Sequence, residues 1–271
     1  MTYVTEAQQA DLLFSVCTLV ASDEKYDRLR DSFESGGFNA SNTEFIALDN
    51  RQENRFDGYG SLREVYPLFR GKYILFTHDD IELAEDDFDH LRSVLGALEA
   101  DDPNWTIAGN SGWTVNNERH VRYLEDPHGS FRDIVKPVEV SSLDENFLIL
   151  RRSKMVFPSL DLKGFHLFAT DLCLQSRAAG GRAYVVPFFV KHLSGGSASA
   201  EFDTCRDALV RKYEKPLVSG RLRTPATVLY VGLAGAVQKF MDAAYDRILS
   251  KTRALVSSTG LTEKAATTGG D

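Results

Sequence analysis

Lys72-Tyr73-Ile74-Leu75-Phe76-Thr77-His78-Asp79-Asp80-Ile81-Glu82-Leu83 is the stretch on which the reading of this chain turns. Tyr73 to Phe76 is short, aromatic and aliphatic, and follows Gly71, which stops a preceding helix; such a run predicts a strand buried in a parallel sheet. It ends in a histidine and two adjacent carboxylates, at the carboxyl edge of the sheet, where open α/β folds bind their ligands. Carboxylates side by side repel unless a cation, typically Mg²⁺ or Mn²⁺, lies between them and a phosphate-bearing substrate. An isolated Asp-Asp more often only starts a solvated loop, which the acids Glu82, Glu85, Asp86 and Asp87 would continue. The rest of the chain has to decide between the two.

Upstream, Leu12 to Val20 predicts a strand, and Ser22 and Asp23 cap a helix with Tyr26, Leu29, Arg30 and Phe33 at helical spacing. Gly36 and Gly37 end that helix, and Thr43 to Leu48 predicts a second strand finishing in Asp49-Asn50. Arg51 to Tyr59 reads as a loop, and Ser61 to Phe69 as a helix interrupted by Pro67. The first ~80 residues thus predict β-α-β-α-β with acids at two of three strand tips, the layout of a nucleotide-binding half-sheet. No GxGxxG follows the first strand and no GxxxxGK[ST] occurs, so dinucleotide oxidoreductases and P-loop phosphotransferases lose their support.

Downstream, Phe88 to Ala100 is an amphipathic helix ended by Asp101-Asp102-Pro103, and Trp105 to Gly109 predicts a strand. Val115 to Lys136 is polar without a clear period, as an active-site loop would be. Val138 to Val140 and Phe147 to Leu150 read as strands around Ser141-Ser142-Leu143-Asp144-Glu145. Asp171 falls in the first turn of a predicted helix closed by Gly180 and Gly181, aimed at whatever binds at the helix N-terminus. Arg182 to Val190 predicts a strand ending in Lys191-His192 and a Ser/Gly turn, which makes His192 a metal or phosphate ligand candidate. Phe202 to Tyr213 reads as a helix.

Thr227 to Val256 predicts a long helix whose apolar core, Val228 to Val237, is too short to span a bilayer. Packing on the domain or pairing with a second copy ranks ahead of peripheral membrane contact, because Asp242 and Asp246 interrupt a basic polar face. Ser257 to Asp271 is small and polar and is expected to be a disordered tail.

With 271 residues, 43% of them hydrophobic, the chain can fill one large α/β core without disulfides. Cys17, Cys173 and Cys205 lie far apart and form no CxxC pair, as expected of reduced thiols in a cytoplasmic protein. A net charge of −8 without a basic stripe argues against nucleic acid as a partner. A polar Met1 to Asp11 and no ~20-residue apolar run point to a soluble protein, at most peripheral to a membrane.

Taken in order, Asp49, His78-Asp79-Asp80, Asp171 and His192-Leu-Ser-Gly-Gly-Ser sit at successive strand and helix ends. This order, over about residues 12 to 215, resembles the GT-A fold glycosyltransferases of the bacterial family-2-like group, with Tyr73 to Leu83 similar to that family's strand-plus-DxD signature. The resemblance implies an α/β GT-A fold with a mostly parallel central sheet and helices on both faces, a transferase domain over 1–215, a helical extension over 216–256 and a tail over 257–271. It implies Asp80 and His192 at a divalent metal, Mn²⁺ or Mg²⁺, with His78 standing where the family has the first Asp. It implies Thr18, Val20, Asp49, His78 and Asp79 around the nucleotide, UDP favoured, and Asp171 as general base, with Asp144 and Glu145 as rivals on the acceptor side. His166 is carried as a further acceptor-side candidate, although a histidine beside Phe165 and Phe168 is more often packed in the core. The implied activity is metal-dependent transfer of a sugar from a nucleoside-diphosphate sugar to a hydroxyl of a cell-envelope, capsular or other glycan, with inversion, in the cytoplasm or at the inner face of the membrane. A nucleotidyltransferase would need a Gly-rich basic loop after Val20, which is missing. A non-catalytic sugar-nucleotide-binding module is the other alternative, since His78 and Ala169 depart from the family pattern.

Overall fold

A computed structural model of the chain describes residues 10–195, 200–214, 220–223 and 228–258. The chain divides into two compact units, residues 1–210 and 211–271. In the first, β1 (Leu12–Val20), α1 (Asp23–Ser35), β2 (Thr43–Asp49), α2 (Ser61–Val65) and β3 (Gly71–His78) form the predicted β-α-β-α-β. β1 pairs in parallel with β2 on one side and β3 on the other. The Ser22 hydroxyl accepts from the Lys25 N–H to cap α1, and α2 passes into a 3₁₀ turn at Tyr66–Leu68, where Pro67 removes an N–H.

β3 is apolar because it is buried on both faces. Tyr73 and Leu75 pack with Leu29 and Phe33 of α1. Ile74 and Phe76 pack on the opposite side with Leu62 of α2. The chain continues through β4 (Ile81–Leu83), α3 (Phe88–Asp101), β5 (Trp105–Gly109), β6 (Ser111–Thr114), β7 (His120–Asp126), β8 (Gly129–Arg132), β9 (Val138–Leu143) and β10 (Phe147–Arg151). It then forms α4 (Phe168–Ala178), β11 (Arg182–Val185), β12 (Val190–His192) and α5 (Ala200–Glu214). Leu91, Leu95 and Leu98 of α3 join the α1 side, and Leu172 of α4 joins the α2 side, so helices cover both faces as expected.

The sheet itself corrects the expectation of a mostly parallel one. Its twelve strands follow the order β2-β1-β3-β10-β5-β11-β9-β6-β7-β12-β4, with β8 beside β7. Four of the pairings are parallel. Seven are antiparallel. Two of the seven come from the polar stretch expected as a loop, and the other five from β10, β9 and β4 running against their neighbours. Val115 to Lys136 contains β7 and β8, paired from Tyr123↔Arg132 to Asp126↔Gly129. Likewise the strand expected over Arg182 to Val190 is two short ones, broken at Val186–Phe189 around Pro187, which cannot donate to a ladder.

In the second unit, β13 (Gly220–Arg223) and β14 (Val228–Val231) form an antiparallel hairpin, followed by α6 (Gly232–Ser258). The long helix therefore begins later than Thr227, its first apolar residues being a strand, and it contains Ser257 and Ser258 of the expected tail. The remainder of that tail, 259–271, lies outside the described residues. The Tyr230 hydroxyl donates to Asp242 Oδ2 (2.7 Å), which ties the hairpin to the helix. Leu233, Phe240, Tyr245 and Ile248 of α6 are exposed. No helix among the described residues is long and apolar enough to cross a membrane.

Candidate active site

The carboxyl ends of β1 and β3, the β3–β4 turn, the cleft-facing side of β7, the β9–β10 turn and the end of β12 surround a cleft of about 780 Å³. His78 leaves β3 on the same side as Phe76 and faces the cleft, with Asp80 two residues on. β12 returns antiparallel to β4 with His192 opposite Ile81, which delivers His192 beside Asp80. The Leu193 N–H donates to the Asp80 carbonyl (3.0 Å) and fixes that approach. His192 Nε2 lies 3.5 Å from Asp80 Oδ1, and the His78 and His192 rings are 5.6 Å apart. The nitrogen and oxygen donors of His78, Asp80 and His192 all fall within 4.8 Å of one another, the one such metal-type group among the described residues.

The electrostatics suit a cation. Burial by itself raises the Asp80 carboxyl, but hydrogen bonds with His192 and Ser194 and the charge of His192 hold it below the usual carboxylate range. Burial, and then the His192 charge, push the His78 imidazole below its ordinary value, which leaves it unprotonated and able to donate a lone pair. Two imidazoles and a carboxylate make a three-donor set with room for further oxygen ligands, so these residues fit a divalent metal.

Asp79 has a different task. It is buried, and its Oδ2 accepts from the backbone N–H groups of Ala21 (2.8 Å) and Ser22 (3.0 Å), clamping the β1–α1 turn to the end of β3. Lys25 Nζ stands 4.0 Å from Asp79 and 3.9 Å from Asp80. Asp79 does border the cleft, through the turn it holds.

Thr18 and Val20 are corrections. Both side chains are buried away from the cleft; the Thr18 hydroxyl bonds to that of Thr77 (3.0 Å), and the Val20 carbonyl accepts from the Asn50 N–H (2.8 Å). Side chains alternate along a strand, so their neighbours Leu19 and Ala21 line the cleft instead. Asp49 stands at the tip of β2 outside the cleft lining, held by the Arg51 guanidinium (2.9 and 3.0 Å). That bond keeps its carboxyl well below the usual range. The next residue, Asn50, lines the cleft and ties the following loop through both amide atoms to the backbone of Phe56.

Asp171 is the largest correction. It is fully buried and does not line the cleft. Its carboxylate accepts from the Ser159 N–H (2.6 Å) and from the Ser159 hydroxyl (2.8 Å), which in turn accepts from Gln175 Nε2 (2.9 Å). A group so enclosed cannot reach an acceptor hydroxyl; it anchors the 155–167 segment to α4.

Asp144, Glu145 and His166 do line the cleft. The Leu167 N–H donates to Glu145, and Leu167 has a left-handed backbone (φ 64°), a conformation costly for a branched side chain and held here by that bond. Burial, with the adjacent Asp144 charge adding to it, pushes the Glu145 carboxyl up to about 7. A largely buried carboxylate that titrates near neutrality at the wall of a cleft is suited to general base work. His166 packs edge-on against Phe202 (5.6 Å) while its carbonyl accepts from the Tyr59 hydroxyl.

The cleft also contains residues the sequence did not single out. His120, Arg122, Leu124 and Asp126 alternate along β7 and all face it, and Asn146 borders it with its Oδ1 unbonded. The period-two placing of 120, 122, 124 and 126 was a usable signal for β7, hidden because polar residues occur on both faces.

No family model matches the chain. A protein of Fuscovulum blasticum named ATP synthase subunits region ORF 6 is 40% identical to it over 220 residues, 79% of this chain and 88% of that one. Among solved structures, the fold resembles GalNAc-T7, crystallised with UDP, GalNAc and Mn²⁺, at a TM-score of 0.50 and 10% identity, covering 75% of this chain. The chain spans about half, 48%, of the length of that structure. It also resembles the mannosyltransferase PcManGT of Pyrobaculum calidifontis in complex with GDP-Man and Mn²⁺, at a TM-score of 0.50 and 8% identity, covering 80% of this chain and 69% of that one. At such identities the likeness is one of fold, and the fold is GT-A-like.

Proposed function

We propose that this chain, which belongs to the family of the Fuscovulum blasticum ATP synthase subunits region ORF 6 protein, is a metal-dependent glycosyltransferase that uses a nucleoside-diphosphate sugar, with UDP as the favoured nucleotide. The observation that carries the reading is the convergence of His78, Asp80 and His192 within 4.8 Å at the edge of the cleft. The GT-A-like fold supports it, and so do the ligands of the two structures it resembles, one a UDP complex and the other a GDP-Man complex, both with Mn²⁺.

His78, Asp80 and His192 would hold the metal. A divalent cation there supplies positive charge for the donor diphosphate and its leaving group. Two imidazole donors favour Mn²⁺ over Mg²⁺, which prefers oxygen ligands. Asp79 keeps the β1–α1 turn in place, and Leu19, Ala21 and Asn50 form the wall against which the nucleoside is placed. Glu145 takes over the role expected of Asp171: its carboxylate removes the proton from the acceptor hydroxyl as that oxygen attacks the anomeric carbon, with inversion. A glycan acceptor reaches Glu145 through the open side of the cleft. We assign this chemistry to residues 1–215; the extension expected to be helical over 216–256 carries the β13–β14 hairpin before α6, and the exposed apolar residues of α6 fit pairing with a second copy or contact with the inner face of a membrane.

The test is thermal denaturation with UDP, GDP and dTDP, each with and without Mn²⁺. Mn²⁺-dependent stabilisation by at least one of them is expected, since a ligand that binds only the folded state raises its stability. Absence of such stabilisation with all three overturns the reading.

A further inference from the structure

β6 and β7 meet in antiparallel register, with Ser111 opposite Arg122 and Trp113 opposite His120. Ser111, His120 and Arg122 all line the cleft, and Trp113 lies on the same strand face as Ser111, one rung further out. Its indole is stacked on the His120 ring at 5.3 Å and 4°, and it remains 43% exposed. The Ser111 hydroxyl and His120 Nε2 are 3.1 Å apart, so a hydrogen bond orients the imidazole in this stack. A flat aromatic pair beside a hydroxyl and a guanidinium is the arrangement that receives a pyranose: the ring's C–H face lies on the indole and its hydroxyls meet the polar edge.

Position along β7 and β9 then places the pair between the two ends of the cleft. β12 runs parallel to β7 with Val190 opposite Leu124 and Lys191 opposite Glu125, which brings His192 level with Asp126. Trp113 is also opposite Ser142 on β9, and the Asp144 N–H donates to the Ser111 carbonyl (2.9 Å), which sets the Trp113–His120 pair a few residues from Glu145. A nucleoside diphosphate gripped at His192 has its base on the β1 and β2 side, towards Ala21 and Asn50, so the Trp113 end is left to the other substrate.

We infer that β6 and β7 form an acceptor subsite for an oligosaccharide, one of whose pyranose rings stacks on Trp113 while a neighbouring ring presents its hydroxyl to Glu145. The inference rests on the glycosyltransferase reading for the identity of the cleft.

The chain has two tryptophans, and the other, Trp105, is fully buried. Quenching of tryptophan emission by acrylamide therefore reports on Trp113. The full chain is titrated with di- to hexasaccharides of the cello, malto, chito and manno series, without nucleotide or metal. Protection of Trp113 that strengthens with chain length in at least one series is expected. Trp113→Ala, followed by calorimetry because its reporter is gone, is expected to bind the longest of these about tenfold more weakly, and Trp113→Phe to recover most of the loss. Buried Trp105 emission checks that both variants fold. Emission unmoved by every oligosaccharide, or equal affinity in Trp113→Ala, overturns the subsite. The Mn²⁺-dependent nucleotide shift is measured on the same sample. If the shift persists while Trp113 is silent, the subsite fails and the donor site stands. If Trp113 responds while the shift is absent, β6 and β7 bind a glycan but not as an acceptor, and the inference falls together with the transferase reading.

Discussion

Asp80 and Asp171 are both buried aspartates at the end of an apolar stretch, and their surroundings make them opposites. Asp80 faces a cleft and is surrounded by His192, His78 and Lys25, groups that carry positive charge or lone pairs for a cation. Asp171 faces inward, and its two oxygens meet the N–H and O–H of Ser159. A carboxylate held by neutral donors from a neighbouring loop is part of the scaffold, because its charge is already compensated where no ligand can enter. One held by titratable groups at a cavity wall keeps its charge available to a ligand. What distinguishes the two is the chemistry of the partners and the side on which they stand; depth of burial does not.

Replacing Asp80 tests this contrast most severely. Asp80→Ala removes the only carboxylate of the three-donor group, and both Mn²⁺-dependent nucleotide binding and transfer are expected to fall to background, read by calorimetry with Mn²⁺ and UDP. Because His192 and Ser194 favour the ionised carboxylate in the folded protein, some thermal stability is lost as well, but the loss of Mn²⁺-dependent binding should be complete in the fraction that stays folded. A variant that unfolds in proportion to its loss of activity would put Asp80 in the same class as Asp171.

Glu145→Gln comes next. Loss of a general base lowers kcat by about 10² to 10⁴-fold, while Mn²⁺ and nucleotide affinity should be retained. With the Glu145 carboxyl pushed up to about 7, kcat should rise with pH through that value as the base is deprotonated. The same group makes the folded protein bind its proton more tightly than the unfolded chain. The stabilisation is therefore complete below the ordinary glutamate range of about 4.5 and is lost as pH rises towards 7. Activity and stability thus move in opposite directions across that window in the wild type, and neither dependence should survive in the Gln variant.

Asp171→Asn reverses the pattern. Disturbing the Ser159 bonds is expected to cost about 2 kcal/mol, or about 4–8 °C in Tm, with kcat/KM near wild type for the folded fraction. A Tm within a degree or so of wild type together with abolished turnover would return the base role to Asp171.

How far these assignments could be read from the sequence follows from where their information lies. The β3 strand was legible because an apolar run buried on both faces admits little else, and the acids at its end marked the cleft edge. His192 was legible as a strand-end histidine, although Pro187 splits its strand. Thr18 and Val20 were misplaced because a period of two leaves the choice of face open, and only the packing of Cys17 and Leu48 with α2 settles which side is the cleft's. β7 was hidden because its core-facing side carries Val121 and Tyr123 but also Glu125, and its cleft side carries Leu124 among polar residues, so the apolar alternation is broken. Glu145 could be named only as a rival: the bond from Leu167 that positions it comes from 22 residues away and depends on a left-handed backbone that no leucine announces.

The smallest effect separates the two causes acting on Glu145. Burial is the larger, and the Asp144 charge the second. Asp144→Asn removes that charge but keeps the Oδ1 that accepts from the Asn146 N–H (3.1 Å) and from Asn146 Nδ2 (2.8 Å), so the β9–β10 turn should hold its shape. The acid limb of kcat is expected about half a pH unit lower than in wild type, the size of a like-charge contact across a solvated turn. Asp144 is exposed, so raising the ionic strength should screen it and lower the wild-type limb towards that of the variant, while the variant itself stays fixed. An acid limb that moves equally with salt in both proteins would mean that another charge, not Asp144, sets the second contribution.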